Sequence, residues 1–240
     1  MAQDLSALEI MEKVLNTQKP NTSISDIKLE IIRVKRGKEK IKIREFTSFK
    51  KNYQEGKFKS KSLARFKTPI TVKGTGLLSW VYRNGKTEQW FFLPKLKTAK
   101  RVKAKEKAKS FMGTDFIYED LESRKTGQDS LVFLSTDSLN GKSCQVILAF
   151  PKNESAYHSR KIWIDSLNWK ILKVEYYYQE SIKHKTLIIS DFIENNGFII
   201  PTNMVMKKAN GNKTIMKINN YKSNIGLKDE IFSESFLIKF

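Results

Sequence analysis

The dipeptide Asn-Gly, which occurs four times, constrains the fold of this sequence more than any other feature. The four copies are Asn84-Gly85, Asn140-Gly141, Asn196-Gly197 and Asn210-Gly211. Asn and Gly tolerate the positive φ angles of the type I′ turn, which joins two antiparallel strands. Strand-like runs flank three of the copies clearly, and the flanks of Asn140 are weaker. Because such short links cannot join parallel strands, the sequence predicts a meander of antiparallel hairpins.

Two further hairpins and one helix complete the predicted architecture. Apolar and charged residues alternate on both sides of "KRGKE" and of the turn Ser166-Leu167-Asn168. The stretch "DLSALEIMEKVLN" instead places Leu5, Leu8, Met11 and Leu15 on one helical stripe, widened by Ile10 and Val14. A sheet of so many strands must curl or close to protect its edges. We therefore predict a mainly β protein, an incomplete antiparallel β-barrel covered by an N-terminal helix and loops.

The whole chain, residues 1–240, is expected to form a single domain. A chain of 240 residues, of which 40% are hydrophobic, can bury one sizeable core. Within it we expect the helix in residues 1–20 and the curved sheet in residues 25–240, with a basic loop inserted at 95–122. No stretch approaches the roughly 18 apolar residues that a membrane-spanning helix needs.

The net charge of +20 determines which partners the chain attracts. A field of this sign draws nucleic acid, anionic lipid headgroups or acidic proteins. The 37 Lys against 8 Arg disfavour specific nucleic-acid recognition, since bidentate readers rely on Arg. The run 95–109 is read either as a solvated loop or as a basic lip that meets the phosphates of an anionic membrane. The candidate headgroup contacts are Lys97, Lys100, Arg101, Lys103 and Lys105.

The predicted hairpin Gly76–Leu93 is apolar on both faces. Leu78 and Trp80 point to one face, and Leu77 and Val81 point to the other. Either the hairpin is sandwiched within the protein, or one of its faces lines a site for an apolar ligand. The sequence leaves both interpretations open.

Motifs for catalysis or metal binding are missing from the sequence. Cys144 is the single cysteine, which rules out an intramolecular disulfide and a Cys-rich zinc site. His158 and His184 have no partner at a metal-ligand spacing. There is no phosphate-binding loop, nucleophile elbow or dinucleotide-binding motif. We therefore expect no enzyme activity, no cofactor and no metal.

The segment "SFMGTDFIYEDL", residues 110–121, follows the basic run directly. Its acidic residues Asp115, Glu119 and Asp120 are one candidate acid/base group, but proton transfer needs an enclosed site with a perturbed pKa. The simpler interpretation is that they cap the backbone and pair with the lysines just upstream. The sequence thus favours a structural or binding role for this segment.

At the level of whole segments, the chain resembles the LolA-like family of outer-membrane lipoprotein-sorting proteins. The segments that carry the resemblance are "LARFKTPITVKGTGLLSW", "EQWFFLPKLKTAKRV", "SFMGTDFIYEDL", "KIWIDSLNWKILKVEYY" and "SDFIENNGFIIPTNMVM". The resemblance runs in order from the first helix to "NIGLKDEIFSESFL", and "FMGTDF.YEDL" is its most specific piece. It implies an incomplete barrel with an apolar concave face under helical lids. It also implies residence in the bacterial periplasm and a link to transporters of the resistance-nodulation-division type.

From this resemblance we expect a periplasmic carrier that holds acyl chains on the concave face. "MAQDL" fits a mature secreted start, cut near Ala2. The expected partners are an acyl lipid or lipoprotein, an inner-membrane transporter and an anionic membrane surface, with a monomeric chain and no nucleic acid. A periplasmic sensor or adaptor is the alternative, and a nucleic-acid-binding β protein is less favoured. The candidate lipid contacts are Leu8, Met11, Leu78, Trp80, Trp90, Phe92, Phe111, Met112, Phe116 and Tyr118.

We expect residues 110–121 to be a binding lip and a structural turn at once. Gly113 permits a bend, while Asp115 and Glu119 fix the backbone and the lysines. Phe111 and Met112 face the cavity, together with Phe116.

Overall fold

Antiparallel strands dominate the computed structural model, which describes residues 5–103, 106–122, 124 and 127–239. Within these residues thirteen strands form one antiparallel sheet that is open rather than closed into a barrel, so the predicted mainly β, incomplete-barrel architecture is confirmed. The N-terminal strands are β1 (Thr22–Lys35), β2 (Lys38–Asn52), β3 (Phe58–Thr68), β4 (Gly76–Tyr82), β5 (Thr87–Leu93) and β6 (Thr98–Arg101). The C-terminal strands are β7 (Asp129–Leu139), β8 (Lys142–Pro151), β9 (Ser159–Asp165), β10 (Ile171–Gln179), β11 (Ile182–Asn195), β12 (Phe198–Lys208) and β13 (Lys213–Ser223). The expected processing site at Ala2 lies outside the described residues.

The strand order shows two meanders joined at the centre of the sheet. Across the sheet the order is β6-β5-β4-β3-β2-β1-β13-β12-β11-β10-β9-β8-β7. The first and last strands therefore pair with each other, antiparallel, and β6 and β7 form the two edges. Register shifts interrupt several pairs, including β1–β13 and β7–β8, and such bulges bend the strands they interrupt. The chain between β6 and β7 must consequently run from one edge of the sheet to the other.

The hairpin turns follow the predicted positions, with two different geometries. Both residues have positive φ at Asn140-Gly141 (53° and 76°) and at Asn196-Gly197 (52° and 78°), as a type I′ turn requires. At Asn84-Gly85 and Asn210-Gly211 only the glycine has positive φ. There the strands end earlier, which leaves four-residue links that relieve the asparagine of the left-handed conformation.

The predicted N-terminal helix is present as α1, Ala7–Leu15. Ser6 and Glu9 form a capping box that satisfies the free N–H groups of its first turn. Its buried side chains are Ala7, Ile10 and Met11, whereas Leu8 is 47% exposed. The buried stripe is therefore rotated from the predicted one, because the helix packs through positions 7, 10, 11 and 14 rather than through 8 and 15.

Segments outside the sheet pack on both of its faces. The inner face packs against α1 and the connection between β6 and β7, and the large apolar core lies there. The outer face of β3–β5 packs against a C-terminal segment that contains a 3₁₀ turn, Asp229–Phe232, and the short helix α2, Glu234–Ile238. Alternation along each strand sorts the side chains, so Leu77 and Phe91 join the inner core while Leu78 and Trp90 join the outer one.

Candidate functional site

The inner face of the sheet is apolar over both meanders. Its buried residues come from strands on either side of the β1–β13 junction, and they form one continuous cluster. They include Ile27, Leu29, Phe46, Phe66, Leu77, Ile147, Ile162, Ile164, Val174, Tyr176, Met206 and Met216. A surface of this kind must be covered in water, by protein or by an apolar ligand.

Residues 110–121, here named the plug, provide most of that cover. Phe111 is 1% exposed, and its ring centroid lies 6.0 Å from that of Phe66 and 5.7 Å from that of Tyr118. Tyr118 also meets Phe91 edge to face at 6.2 Å. The chain reverses at Met112 and Gly113, which both have positive φ (50° and 70°), so Gly113 makes the expected bend. The plug therefore occupies the space where a ligand of the inner face would lie.

Asp115 fixes the centre of the plug to the sheet. Its carboxylate is 2.8 Å from Nη1 of Arg33 and accepts a hydrogen bond of 2.7 Å from Oγ1 of Thr214. The same arginine donates to the carbonyl oxygen of Gly113 at 2.6 Å. The Asp115 amide in turn donates to Oγ1 of Thr214 at 2.9 Å. Neighbouring strands β1 and β13 thus both bind the turn of the plug.

Asp120 and Lys185 form a fully buried ion pair at the end of the plug. The Lys185 side chain is 0% exposed, and its Nζ lies 2.5 Å from Oδ2 of Asp120. It also donates to the carbonyl oxygen of Asp115 at 3.0 Å. Asp120 accepts further hydrogen bonds of 2.8 Å from the Tyr157 hydroxyl and from the Ile117 amide. Burial lowers the pKa of Lys185, and the Asp120 carboxylate opposes that shift.

Glu119 connects the plug to β9 and to the β8–β9 loop. It pairs with Arg160, also buried, and lies 3.7 Å from Nη1 of Arg124. It also accepts hydrogen bonds from Oγ of Ser155 at 2.6 Å and from the Ala156 amide at 2.8 Å. The acidic residues of the plug therefore bind Arg33, Lys185 and Arg160 on distant strands, rather than the lysines just upstream that the sequence suggested.

The sequence did not lead us to predict these distant cations, although the position of Lys185 in its strand could have indicated one of them. In β11 it occupies an inward position of an alternating strand, on the same face as Leu187, which packs against the inner core. A lysine at such a position needs a carboxylate partner, and the plug is the acidic segment that faces it.

The predicted lipid contacts divide between the two faces of the sheet. Those of the inner face are Met11, Phe111, Met112, Phe116 and Tyr118. Those of the outer face are Leu78, Trp80, Trp90 and Phe92, which pack with Phe232 and Leu237 of the C-terminal segment. Leu8 belongs to neither cluster and points to solvent. The ten residues therefore do not line one wall, because the four strand residues all point to the outer face, whereas α1 and the plug lie on the inner face.

The outer cluster is closed by specific contacts. Trp80 Nε1 donates to the carbonyl oxygen of Phe232 at 2.8 Å. Nη1 of Arg65 donates to the carbonyl oxygen of Leu237 at 2.8 Å. A Cβ added at Gly76 would lie 2.6 Å from Cδ1 of Leu237, so this leucine of α2 packs directly on the backbone of β4 at a position without a side chain. The apolar outer side of the β4–β5 hairpin is thus protein core.

The predicted headgroup contacts lie at the β6 edge of the sheet. Lys97, Lys100 and Lys103 are exposed, and Lys105 lies outside the described residues. Arg101 pairs with Glu88 and lies 5.9 Å from the centroid of the Trp90 ring. The exposed lysines leave this edge strongly basic.

The described part of the chain offers few side chains for metal binding or acid/base chemistry. No group of three or more His, Cys, Asp or Glu side chains there could hold a metal ion. His184 stacks on Tyr178 with ring centroids 3.9 Å apart, and burial together with Lys208 and Lys185 lowers its pKa. None of the described helices is long and apolar enough to cross a membrane.

Comparisons with known proteins agree with this geometry. A solved domain from Vibrio parahaemolyticus, named as an outer membrane lipoprotein-sorting protein, is 25% identical with a TM-score of 0.89, over 97% of this chain and 98% of that one. A DUF1329 family protein from Desulfovibrio piger is 24% identical with a TM-score of 0.88, over 96% and 97% of the two chains. A LolA superfamily protein from Nitrosomonas europaea shares the fold at 18% identity and a TM-score of 0.74, over 97% and 100%.

A protein-family model described as "Uncharacterized protein" matches residues 59–239, well over half of the chain. The chain belongs to this family. The match begins at the second residue of β3 and includes the plug, α2 and all strands from β4 to β13. A comparison with curated proteins found no match. The LolA-like resemblance read from the sequence is thereby confirmed.

Proposed function

We propose that this LolA-like protein carries the acyl chain of a lipid or lipoprotein on the inner face of its sheet, in the periplasm. The proposal rests on how that face is covered. Two short segments, α1 and the plug, lie over a continuous apolar surface of an open sheet. Segments of this kind can be displaced without breaking any strand pairing.

Displacing the plug has a cost that reduces the affinity for an acyl chain. An acyl chain gains about 0.8 kcal/mol for each CH₂ removed from water, so a chain of 16 carbons gains at most about 12 kcal/mol. This gain is reduced by exposing the rings of Phe111, Phe116 and Tyr118, whose burial is worth about 1.5–3 kcal/mol each. Breaking the ion pairs of the plug and ordering the acyl chain reduce it further. Binding should therefore be tight enough for transport and still reversible.

The relatives support the class of cargo. The similar domain from Vibrio parahaemolyticus is named for lipoprotein sorting, and the exposed lysines at the β6 edge suit an anionic membrane surface. An inner-membrane transporter is the partner that we propose for loading or unloading. Nothing in this mechanism requires a bond to be broken, so we propose a carrier rather than an enzyme.

The tryptophans allow a direct test of which face binds the chain. Trp169 packs against the inner core, whereas Trp80, Trp90 and Trp163 belong to outer clusters. A brominated fatty acid bound on the inner face should quench the fluorescence of Trp169 in the wild type. The matched variant Trp169→Phe should lose this quenching.

Native mass spectrometry of protein purified under mild conditions should show a co-purified lipid at one per chain. Quenching that persists in Trp169→Phe would place the ligand on the outer face and overturn the proposal. So would the absence of both quenching and lipid after incubation with bacterial membrane lipids.

A further inference from the structure

A row of polar side chains crosses the apolar inner face at one end of the first meander. Lys50 of β2 pairs across the sheet with Ser62 of β3, Ser62 with Ser79 of β4, and Ser79 with Gln89 of β5. The neighbouring row holds Ala64, Leu77 and Phe91, which all pack on the inner core, so the polar row faces the same way. Four strands thus present polar groups in register on a face that is otherwise apolar.

Gln89 at one end of this row is buried without a partner. It is 2% exposed, and neither Oε1 nor Nε2 has a hydrogen-bond partner among the described residues. Buried amides are nearly always hydrogen-bonded, because an unpaired one loses its bonds to water and gains nothing in return. A leucine or methionine would fill the same space without that penalty. The amide is therefore placed for a partner that is not part of the fold.

Lys50 at the other end carries a charge that no described carboxylate neutralises. Of the other inward cations, Lys185 and Arg160 each have an acidic partner. Burial lowers the pKa of Lys50 to about 8, and the nearby positive charges of Lys19 and Lys59 add to this shift. Such a cluster of like charges is relieved when an anion binds between them.

The spacing of the row fits an extended polar head. Neighbouring strands lie about 4.8 Å apart, so Lys50 and Gln89 are about 14 Å apart at the backbone. Ser62 and Ser79 between them are small and leave room for the two longer side chains to reach toward each other. A head that offers an anionic oxygen at one end and an ester carbonyl at the other matches both groups.

We propose that Lys50 and Gln89, with Ser62 and Ser79 between them, bind the phosphate and ester groups of an anionic glycerophospholipid whose acyl chains lie on the inner face. This assignment rests on the proposed carrier function and adds the class of its cargo. Lys50 donates to the phosphate oxygens, and the Gln89 amide donates to an ester carbonyl. Both groups become accessible when the plug and α1 give way to the acyl chains.

Two ligands with equal chains separate head recognition from chain recognition. Dioctanoyl-phosphatidylglycerol carries the phosphate, and dioctanoylglycerol lacks it. We expect the wild type to bind the phospholipid at least tenfold more tightly in isothermal titration calorimetry. Lys50→Met and Gln89→Met, which keep the length of each side chain, should each weaken phospholipid binding about tenfold and change diacylglycerol binding by less than twofold.

The stability of the variants provides the folding control. Because both substitutions remove a polar group that is unpaired without ligand, neither should lower the urea midpoint. Higher stability with unchanged phospholipid affinity would overturn the assignment. Equal binding of inorganic phosphate and of the phospholipid would overturn it as well, because the site would then serve a free anion.

The two proposals fail in different ways. Diacylglycerol bound without any preference for the phosphate would overturn the headgroup site alone. A wild type that binds neither lipid would overturn the carrier function itself.

Discussion

Replacing Lys185 with methionine removes the ammonium group that holds the end of the plug to β11. Methionine fills a similar volume, so the main loss is electrostatic. The Asp120 carboxylate, 2% exposed at its side chain, keeps only the Tyr157 hydroxyl and the Ile117 amide as partners. Removing one partner of a buried ion pair costs about 3–5 kcal/mol, and the two remaining hydrogen bonds favour the lower end, about 3 kcal/mol.

A second substitution tests whether this cost comes from the unpaired charge of the Asp120 carboxylate. Lys185→Met combined with Asp120→Asn removes both charges and keeps an oxygen that can accept from Ile117. We expect the double variant to recover about 2 kcal/mol relative to the sum of the single variants. Lys183→Met is the matched control, because this lysine lies two residues earlier on β11, its side chain is 51% exposed, and its pairing with Glu175 is weak.

Urea unfolding monitored by tryptophan fluorescence measures these free energies, and hydrogen exchange locates the loss. In Lys185→Met the plug amides, such as that of Phe111, which donates to the carbonyl oxygen of Phe116 at 2.8 Å, should exchange faster than those of β1 and β2. The carrier proposal further expects this variant to bind the brominated fatty acid faster than the wild type does. A cost below about 1 kcal/mol, or strict additivity with Asp120→Asn, would refute the reasoning.

Two further predictions concern the C-terminal segment and the titration of Lys50. Gly76→Ala should lower the free energy of unfolding by about 1–3 kcal/mol, since its Cβ would lie 2.6 Å from Cδ1 of Leu237; an unchanged urea midpoint would contradict the close approach of α2. Lys50 has a pKa of about 8 in the fold and about 10.4 when unfolded, so the unfolded chain binds more protons between these values and stability rises with pH across that window. The free energy of unfolding of Lys50→Met should therefore exceed that of the wild type at pH 7, by at most about 3 kcal/mol after solvent screening. This difference should vanish above about pH 10. An equal difference at pH 7 and pH 10 would contradict the prediction.

Local turn chemistry made most of the architecture predictable. The Asn-Gly pairs at 140 and 196 require left-handed backbone, and this alone places two hairpins in the correct register. The same reasoning located α1, because its capping residue and its 3.6-residue period are both local. The rotation of the buried stripe away from Leu8 could not be predicted from local sequence, because it depends on the surface against which the helix packs.

The division of the candidate site between two faces required the fold. Alternation shows that Leu77 and Leu78 point to opposite sides, but it does not reveal what covers each side. The C-terminal helix occupies the outer side through Leu237, and the plug occupies the inner side through Tyr118. Residues that are distant in the chain thus decide which aromatic side chains remain for a ligand.

The sequence by itself determined the hairpins, the N-terminal helix and the LolA-like family, because each depends on neighbouring residues or on collinear motifs. Only the tertiary structure paired Asp120 with Lys185 and aligned Lys50 with Gln89. Both arrangements depend on the register of strands that are distant in the chain. Register fixes which polar groups share a face and which of them lack a partner, and no local pattern contains that information.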